Sequence, residues 1–283
     1  MTGQARRLYL ARVARTAQDH ERRADGLLPG APRPSSPPNP GESSGWLAQV
    51  RGAVPPRRHN ARTIAALTTN PGCRRRALLD CAGVDKTMLA RRIGFPAPFG
   101  QSRFAITRGN AFEAQVKADG GAELRRLLRQ LMPATADGRG EDTRPDDRPD
   151  EGRWLTVPET TDGAGSGNAE RYARTRTLLA AAADDGADGE ATFIDHPLLR
   201  LTVAGQWVYL EPDVVAARIA GRFHVVEIKS FAVIDGQADP AKVSAAAIQA
   251  AVYVLALREL LADAGRDPEL VSSDAVLVCP RDF

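Results

Sequence analysis

The stretch at residues 210–230 constrains the fold of this 283-residue chain more than any other. Two apolar runs, each carrying charges that a buried strand should not tolerate, flank an Ala220-Gly221 turn. Side chains alternate across a strand, so Glu227 and Lys229 in Val225-Val226-Glu227-Ile228-Lys229 share a face. An unpaired carboxylate or ammonium costs several kcal/mol to bury, so such groups need a partner, an ion or a chemical role. With the turn centred on Ala220-Gly221, the antiparallel register sets Asp213 opposite Ile228, beside both charged residues. Two carboxylates and a lysine then meet at one point on a sheet, the makings of a metal site with a positioned amine. The competing reading is a surface hairpin with a cross-strand salt bridge, worth under about 1 kcal/mol. Val225, Val226 and Ile228 leave little room for that solvated face.

A Glu-x-Lys triplet alone is a weak signal. It gains weight here because the chain holds only four lysines, Lys86, Lys117, Lys229 and Lys242, and because other elements fall in order around it. Pro212-Asp213 lies at hairpin distance upstream, and Gln249-Ala-Ala-Val-Tyr253 follows downstream. Arg108-Gly109-Asn-Ala-Phe-Glu113 precedes them all. Together these residues resemble the PD-(D/E)xK nuclease superfamily in its RecB-like branch, which includes the CRISPR-associated RecB-like exonucleases. The resemblance spans about residues 71–282. It departs at Glu113, where many RecB-like members carry histidine.

The resemblance implies an α/β fold, a restriction-endonuclease-like core with a mixed central β-sheet flanked by helices. It also implies a metal-dependent deoxyribonuclease acting in DNA repair or phage defence. Asp213 and Glu227, the carbonyl of Ile228 and the Glu113 carboxylate would be the ligands of Mg²⁺ or Mn²⁺. A hard divalent cation offsets charge on the scissile phosphate and acidifies the attacking water, and Mg²⁺ needs only one or two carboxylates. Lys229 would hold the water or help deprotonate it, and would stabilise the developing charge. Gln249 and Tyr253 would sit at the rim, contacting DNA or orienting Lys229, and Arg108 would contact DNA. The alternative is a nuclease fold without turnover, a DNA-binding or scaffolding subunit of a larger complex. No phosphate-binding loop is present, so a helicase or targeting function would come from a partner protein.

The formal charge of +3 is unevenly placed, because residues 1–62 hold 11 arginines against four acids. That basic segment, with a Pro-, Gly- and Ser-rich linker at 28–45, is expected to be partly disordered and to contact nucleic acid or a protein partner. The nuclease domain is expected over 63–283, with a disordered insertion at 133–152 that is charged and poor in apolar residues. No uninterrupted run of 18 apolar residues and no signal-peptide core is evident, which points to a cytoplasmic protein without a membrane span. Three cysteines make no disulfide framework. Cys73 resembles the leading cysteine of cluster-bearing RecB-like nucleases, but the trailing three are missing, so a clusterless relative is expected.

Periodicity predicts helices at 6–24, 73–93, 109–132 and 169–183, with an Ala-rich helix at 244–262 capped by Ser244. Strands are expected at 198–203, 207–216 and 223–231, forming a meander within the central sheet, and at 275–279. His224 falls on the strand face opposite Glu227 and reads as structural, and Asp195-His196 reads as loop chemistry.

Overall fold

The computed structural model describes residues 8–13, 45–69, 73–96, 103–132, 152–157, 166–184, 191–203 and 206–281. All but the last residue of the expected linker at 28–45 and of the expected insertion at 133–152, and most of the basic N-terminal segment, lie outside these residues. The protein is α/β, with a mixed sheet of five strands and helices packed against it. In sequence order the strands are β2 (Arg153–Thr156), β3 (Thr192–Asp195), β6 (Val214–Ile219), β7 (Arg222–Ile228) and β8 (Ala275–Pro280). Their spatial order is β8-β7-β6-β3-β2. Leu8–Val13 (β1) adds to the free side of β8 as an antiparallel sixth strand. β7 runs parallel to β8 and β2 parallel to β3, while β6 is antiparallel to both its neighbours.

Alternation of side chains divides the core. Val214, Ala216, Val226 and Ile228 join Phe112 and Val116 of α5 (Arg103–Val116) and Leu124 and Leu128 of α6 (Ala118–Leu131). Val215, Ala217 and Val225 face the other way, onto Leu257, Leu260 and Leu261 of α8 (Pro240–Asp263). The helix α7 (Ser166–Asp184) supplies Tyr172 and Leu179 to that second layer. α8 is long and apolar enough to cross a membrane by length and composition, yet half of that stretch is buried, as in a core helix.

Several expectations are corrected. The expected strand at 207–216 is two, β5 (Gln206–Leu210) and β6, separated at Glu211-Pro212-Asp213. Proline has no N–H to continue a ladder. Among the described residues β5 pairs only with β4 (Leu199–Val203) as a separate two-stranded sheet, so the meander is not all in the central sheet. The expected helix at 109–132 is two, because Asp119, Gly120 and Gly121 take positive φ. The stretch at 73–93 is likewise two helices, α3 (Arg74–Cys81) and α4 (Lys86–Arg92). The cap of α8 is Asp239, which accepts from the Ala241 N–H with Pro240 at the first helical position, and not Ser244. Leu8–Val13 is a strand where a basic helix at 6–24 is expected. Ahead of α3 lie α1 (Gly45–Arg51) and α2 (Ala61–Thr69). Ala61 and Ala65 of α2 belong to the core layer beneath α8.

Candidate functional site

The hairpin register decides which charges meet. Ala220 and Gly221 both take positive φ, the conformation a tight two-residue hairpin needs, and Ile219 pairs with Arg222. Between Ile219 and Ala216 the ladder shifts: Ala217 and Arg218 stand against Phe223 alone, and Arg218 has φ 66°. This is a β-bulge. Beyond it Val214 pairs with Val226, so the register carried one residue further sets Asp213, in the bend just before β6, level with Glu227 and not with Ile228. The correction matters, because cross-strand partners share a face. Without the bulge, Asp213 would lie on the face of Ile228, away from Glu227 and Lys229. With it, all three charged groups are on the face covered by α8.

There they interact closely. The Asp213 Oδ2 accepts a 2.6 Å hydrogen bond from the Ile228 N–H. The Lys229 ammonium pairs with Glu227 Oε1, and the Lys229 N–H bonds the Val278 carbonyl on β8 at 2.9 Å. Glu227 is 2 % exposed and its other oxygen, Oε2, is buried without a hydrogen-bond partner. Burial, and then the nearby Asp213 carboxylate, push the Glu227 carboxyl up to about 7. Burial raises Asp213 too, against the opposing Ile228 hydrogen bond.

From α8, the Gln249 carbonyl oxygen lies 3.5 Å from the Lys229 Nζ, and the Gln249 amide donates to the Tyr253 hydroxyl at 3.0 Å. Gln249 and Tyr253 are four apart and stack on one helix face. Tyr253 is 5 % exposed, so it stands behind Gln249 and not at the rim where a DNA contact was expected. Burial raises the pKa of its hydroxyl.

The group opens into a cleft of about 700 Å³ lined by Asp213, Ile228, Lys229, Gln249 and Glu113, with Arg62, Arg108 and Lys242 among its walls. Arg62, exposed on α2, escapes sequence reasoning because nothing local marks it out. Its charge reaches both Glu227 and Tyr253.

A second charged group adjoins the first. Glu113 pairs with Lys117 one turn along α5 and lies 3.0 Å from His196 Nε2. Lys117 also reaches Asp195 at 2.6 Å, and His196 Nδ1 lies 3.4 Å from Glu211, itself held by Arg171 at 3.1 Å. The His196 hydrogen bond holds the Glu113 carboxyl down at about 2, and the same bond raises His196. Lys117 escaped sequence reasoning as a site residue, although its i+4 spacing from Glu113, in a chain of only four lysines, is the signal that could have found it. His196, with φ 46°, comes into place through its N–H bond to the Asp213 carbonyl, a contact no local pattern announces. His224 is buried, with Nε2 2.9 Å from the Ile219 carbonyl, on the face away from Glu227. Cys279 is buried in β8, which pushes its thiol up to about 12. Comparison with known proteins gives no match: no protein-family model, no curated protein and no solved structure matches this chain.

Proposed function

We propose that this protein is a metal-dependent deoxyribonuclease with a restriction-endonuclease-like core, hydrolysing phosphodiester bonds in the cleft over Asp213, Glu227 and Lys229. The observation that carries the reading is the fully buried Glu227, with one oxygen on Lys229 and the other unpartnered, beside a second carboxylate at the mouth of a cationic cleft. Such an arrangement is costly to fold, and purely structural pairing leaves the Oε2 lone pairs unused.

The residues present fit a divalent cation. Among the described residues no three His, Cys, Asp or Glu side chains form a ready-made cage. Mg²⁺ does not need one, since it keeps several waters and takes one or two carboxylates. Asp213 and Glu227 would hold the ion, with the Ile228 carbonyl as a third donor. Glu113 is the weaker ligand, because Lys117 and His196 already engage its carboxylate. When bound, Mg²⁺ or Mn²⁺ supplies charge neutralisation at the phosphate and a more acidic attacking water.

The protein's own groups do the rest. Lys229 is tethered on one side by Glu227 and on the other by Gln249, which fixes its ammonium where the cleft opens. There it orients the attacking water and stabilises charge developing on the phosphate. Tyr253 positions Gln249 and acts on the chemistry only through it. Arg62, Arg108 and Lys242 attract the DNA backbone to the cleft. DNA repair or phage defence is the setting that the resemblance suggests.

The test is incubation of single- and double-stranded DNA with the protein in Mg²⁺ or Mn²⁺. Wild type should cleave and Lys229→Ala should lose at least a hundredfold in rate, in the range of a missing charge-stabilising donor. Cleavage undiminished in the variant overturns the assignment. Binding without cleavage by wild type favours a DNA-binding subunit instead.

A further inference from the structure

The cationic part of the molecule extends well beyond the cleft. Residues 51–92 carry nine arginines and one lysine against two aspartates, a net +8 in a chain whose formal total is +3. Two short helices in this segment, α3 and α4, are joined by the four residues 82–85. That connection is rigid. The Val84 N–H bonds the Leu79 carbonyl and the Gly83 N–H bonds the Asp80 carbonyl, the paired bonds of a glycine-terminated helix. Gly83 has φ +68°, and a Cβ there would meet Pro56 Cβ at 2.8 Å and the Arg57 carbonyl at 2.9 Å. Asp85 then caps α4 by accepting from the Thr87 and Met88 N–H groups, while Arg57 holds its other oxygen at 2.6 Å. Lys86 and Arg76 pair with Asp80, so both aspartates are neutralised within the element.

What remains is basic and exposed. α4 buries none of its residues, and Arg91, Arg92 and Met88 on it are exposed. Arg74 and Arg75 open α3 without an acid in the first turn and without a side-chain cap, against the sign that a helix N-terminus prefers. Among the described residues none of these four arginines has an ion-pair partner. Arg91 and Arg92 favour the last turn of α4 through the helix dipole, but the absence of any buried residue on α4 and, among the described residues, of ion-pair partners for the four arginines leaves the outer face of this element open to an anionic partner.

We propose that α3 and α4 form a helix-turn-helix docking element for duplex DNA, with α4 in the major groove and the four arginines on flanking phosphates. Two helices across a three- to four-residue glycine turn are the usual form of this motif. An α-helix with its side chains is about 10–12 Å across, which suits a major groove about 12 Å wide. Met88 offers the apolar contact that a thymine methyl takes. The element is continuous with the cleft through α2, which packs against both α3 and α8 and carries Arg62. It takes from the proposed function only that the ligand is DNA.

Fluorescence anisotropy tests it on a 20-base-pair duplex and on one of its single strands, across salt, with the full chain and no added divalent cation. Each phosphate contact contributes about 0.9 to the slope of log affinity on log salt. The Arg91→Ala/Arg92→Ala double variant should lower the duplex slope by about 1.8 and the single-strand slope by much less. A control double variant at the exposed, locally paired Arg126 and Arg174 should leave the duplex slope unchanged. An unchanged slope in the first variant overturns the proposal, and so does an equal loss on both ligands or in the control. A wild type that binds duplex but never cleaves refutes the nuclease reading alone. Cleavage by wild type with an unmoved slope in the variant refutes this one alone.

Discussion

Glu227 concentrates the physical tension of the molecule. Its carboxyl sits at about 7 because burial and Asp213 both disfavour the charged form, and the Lys229 ammonium offsets that only in part. In the unfolded chain the same group titrates near 4.5. An acid with a raised folded pKa binds its proton more tightly when folded, so its contribution to stability is present at acid pH and is lost as pH rises from about 4.5 through 7. Glu227→Gln removes that loss. The melting-temperature difference, variant minus wild type, should grow more positive between pH 5 and pH 8; a difference that is flat or falls over that window contradicts the burial argument. A cation over Asp213 and Glu227 offsets the same penalty, so Mn²⁺ at pH 8 should raise the wild-type melting temperature and leave Glu227→Gln nearly unmoved. Glu113 behaves oppositely. Its carboxyl is held at about 2, so its contribution is present above about 4.5 and lost as pH falls toward 2. In Glu113→Gln the destabilisation seen at pH 7 should shrink steadily on acidification, as read by thermal melts from pH 7 to pH 3.

At the scale of elements, conformations that glycine alone adopts freely fix the geometry around the site. Gly121, at φ +71°, ends the kink in the first turn of α6, and a Cβ there would collide with the Trp154 ring, which stacks on Phe193 at 5.7 Å. Gly121→Ala should therefore cost about 2–4 kcal/mol, from left-handed backbone strain plus overpacking. A urea titration measures it, and a loss under 1 kcal/mol would mean that the kink relaxes freely. The same kink separates what was legible from what was not. The apolar spacing of Phe112, Val116, Leu124, Leu127 and Leu128 reads as a core-facing helix; four of the five are buried in one layer, and Leu127 is only half-buried. Periodicity carried no sign of the break, since Gly120-Gly121 leaves the pattern intact. The hairpin was legible from its Ala220-Gly221 turn, but the bulge at Ala217 and Arg218 was not. A bulge adds one residue without changing composition, yet it moves Asp213 to the face of Glu227. β2 and β3, of four residues each, are too short to show a period. The grouping of Glu227, Lys229, Gln249 and Tyr253 on β7, just beyond it and on α8 was readable because they are close in sequence. Arg62 and His196 reach it only through tertiary packing.

At the scale of the whole molecule, the sheet separates two apolar layers, and the charged site sits where β6 begins and β7 ends, under α8. The N-terminal segment touches this plan at both ends of its length. Residues 1–62 hold 11 arginines, but Arg51, Arg57, Arg58 and Arg62 lie in the helical part from residue 45 on, where Ala61 is buried and Arg57 pairs with Asp85. Cutting at residue 62 would therefore damage the core, and a cut after residue 44 isolates the arm. That truncation removes seven arginines and four acids, so the salt slope of DNA binding should flatten only modestly, while the cleavage rate at saturating DNA stays nearly unchanged. It also removes β1 from the side of β8. All six residues of β8 are buried, and a strand of that kind left as an open edge presents unpaired backbone to other copies. The truncated protein should melt at a lower temperature and associate as its concentration rises, measured by light scattering. A truncation that stays monodisperse with an unchanged melting temperature would mean that β1 contributes nothing to the sheet, and the arm would then act through its charge alone.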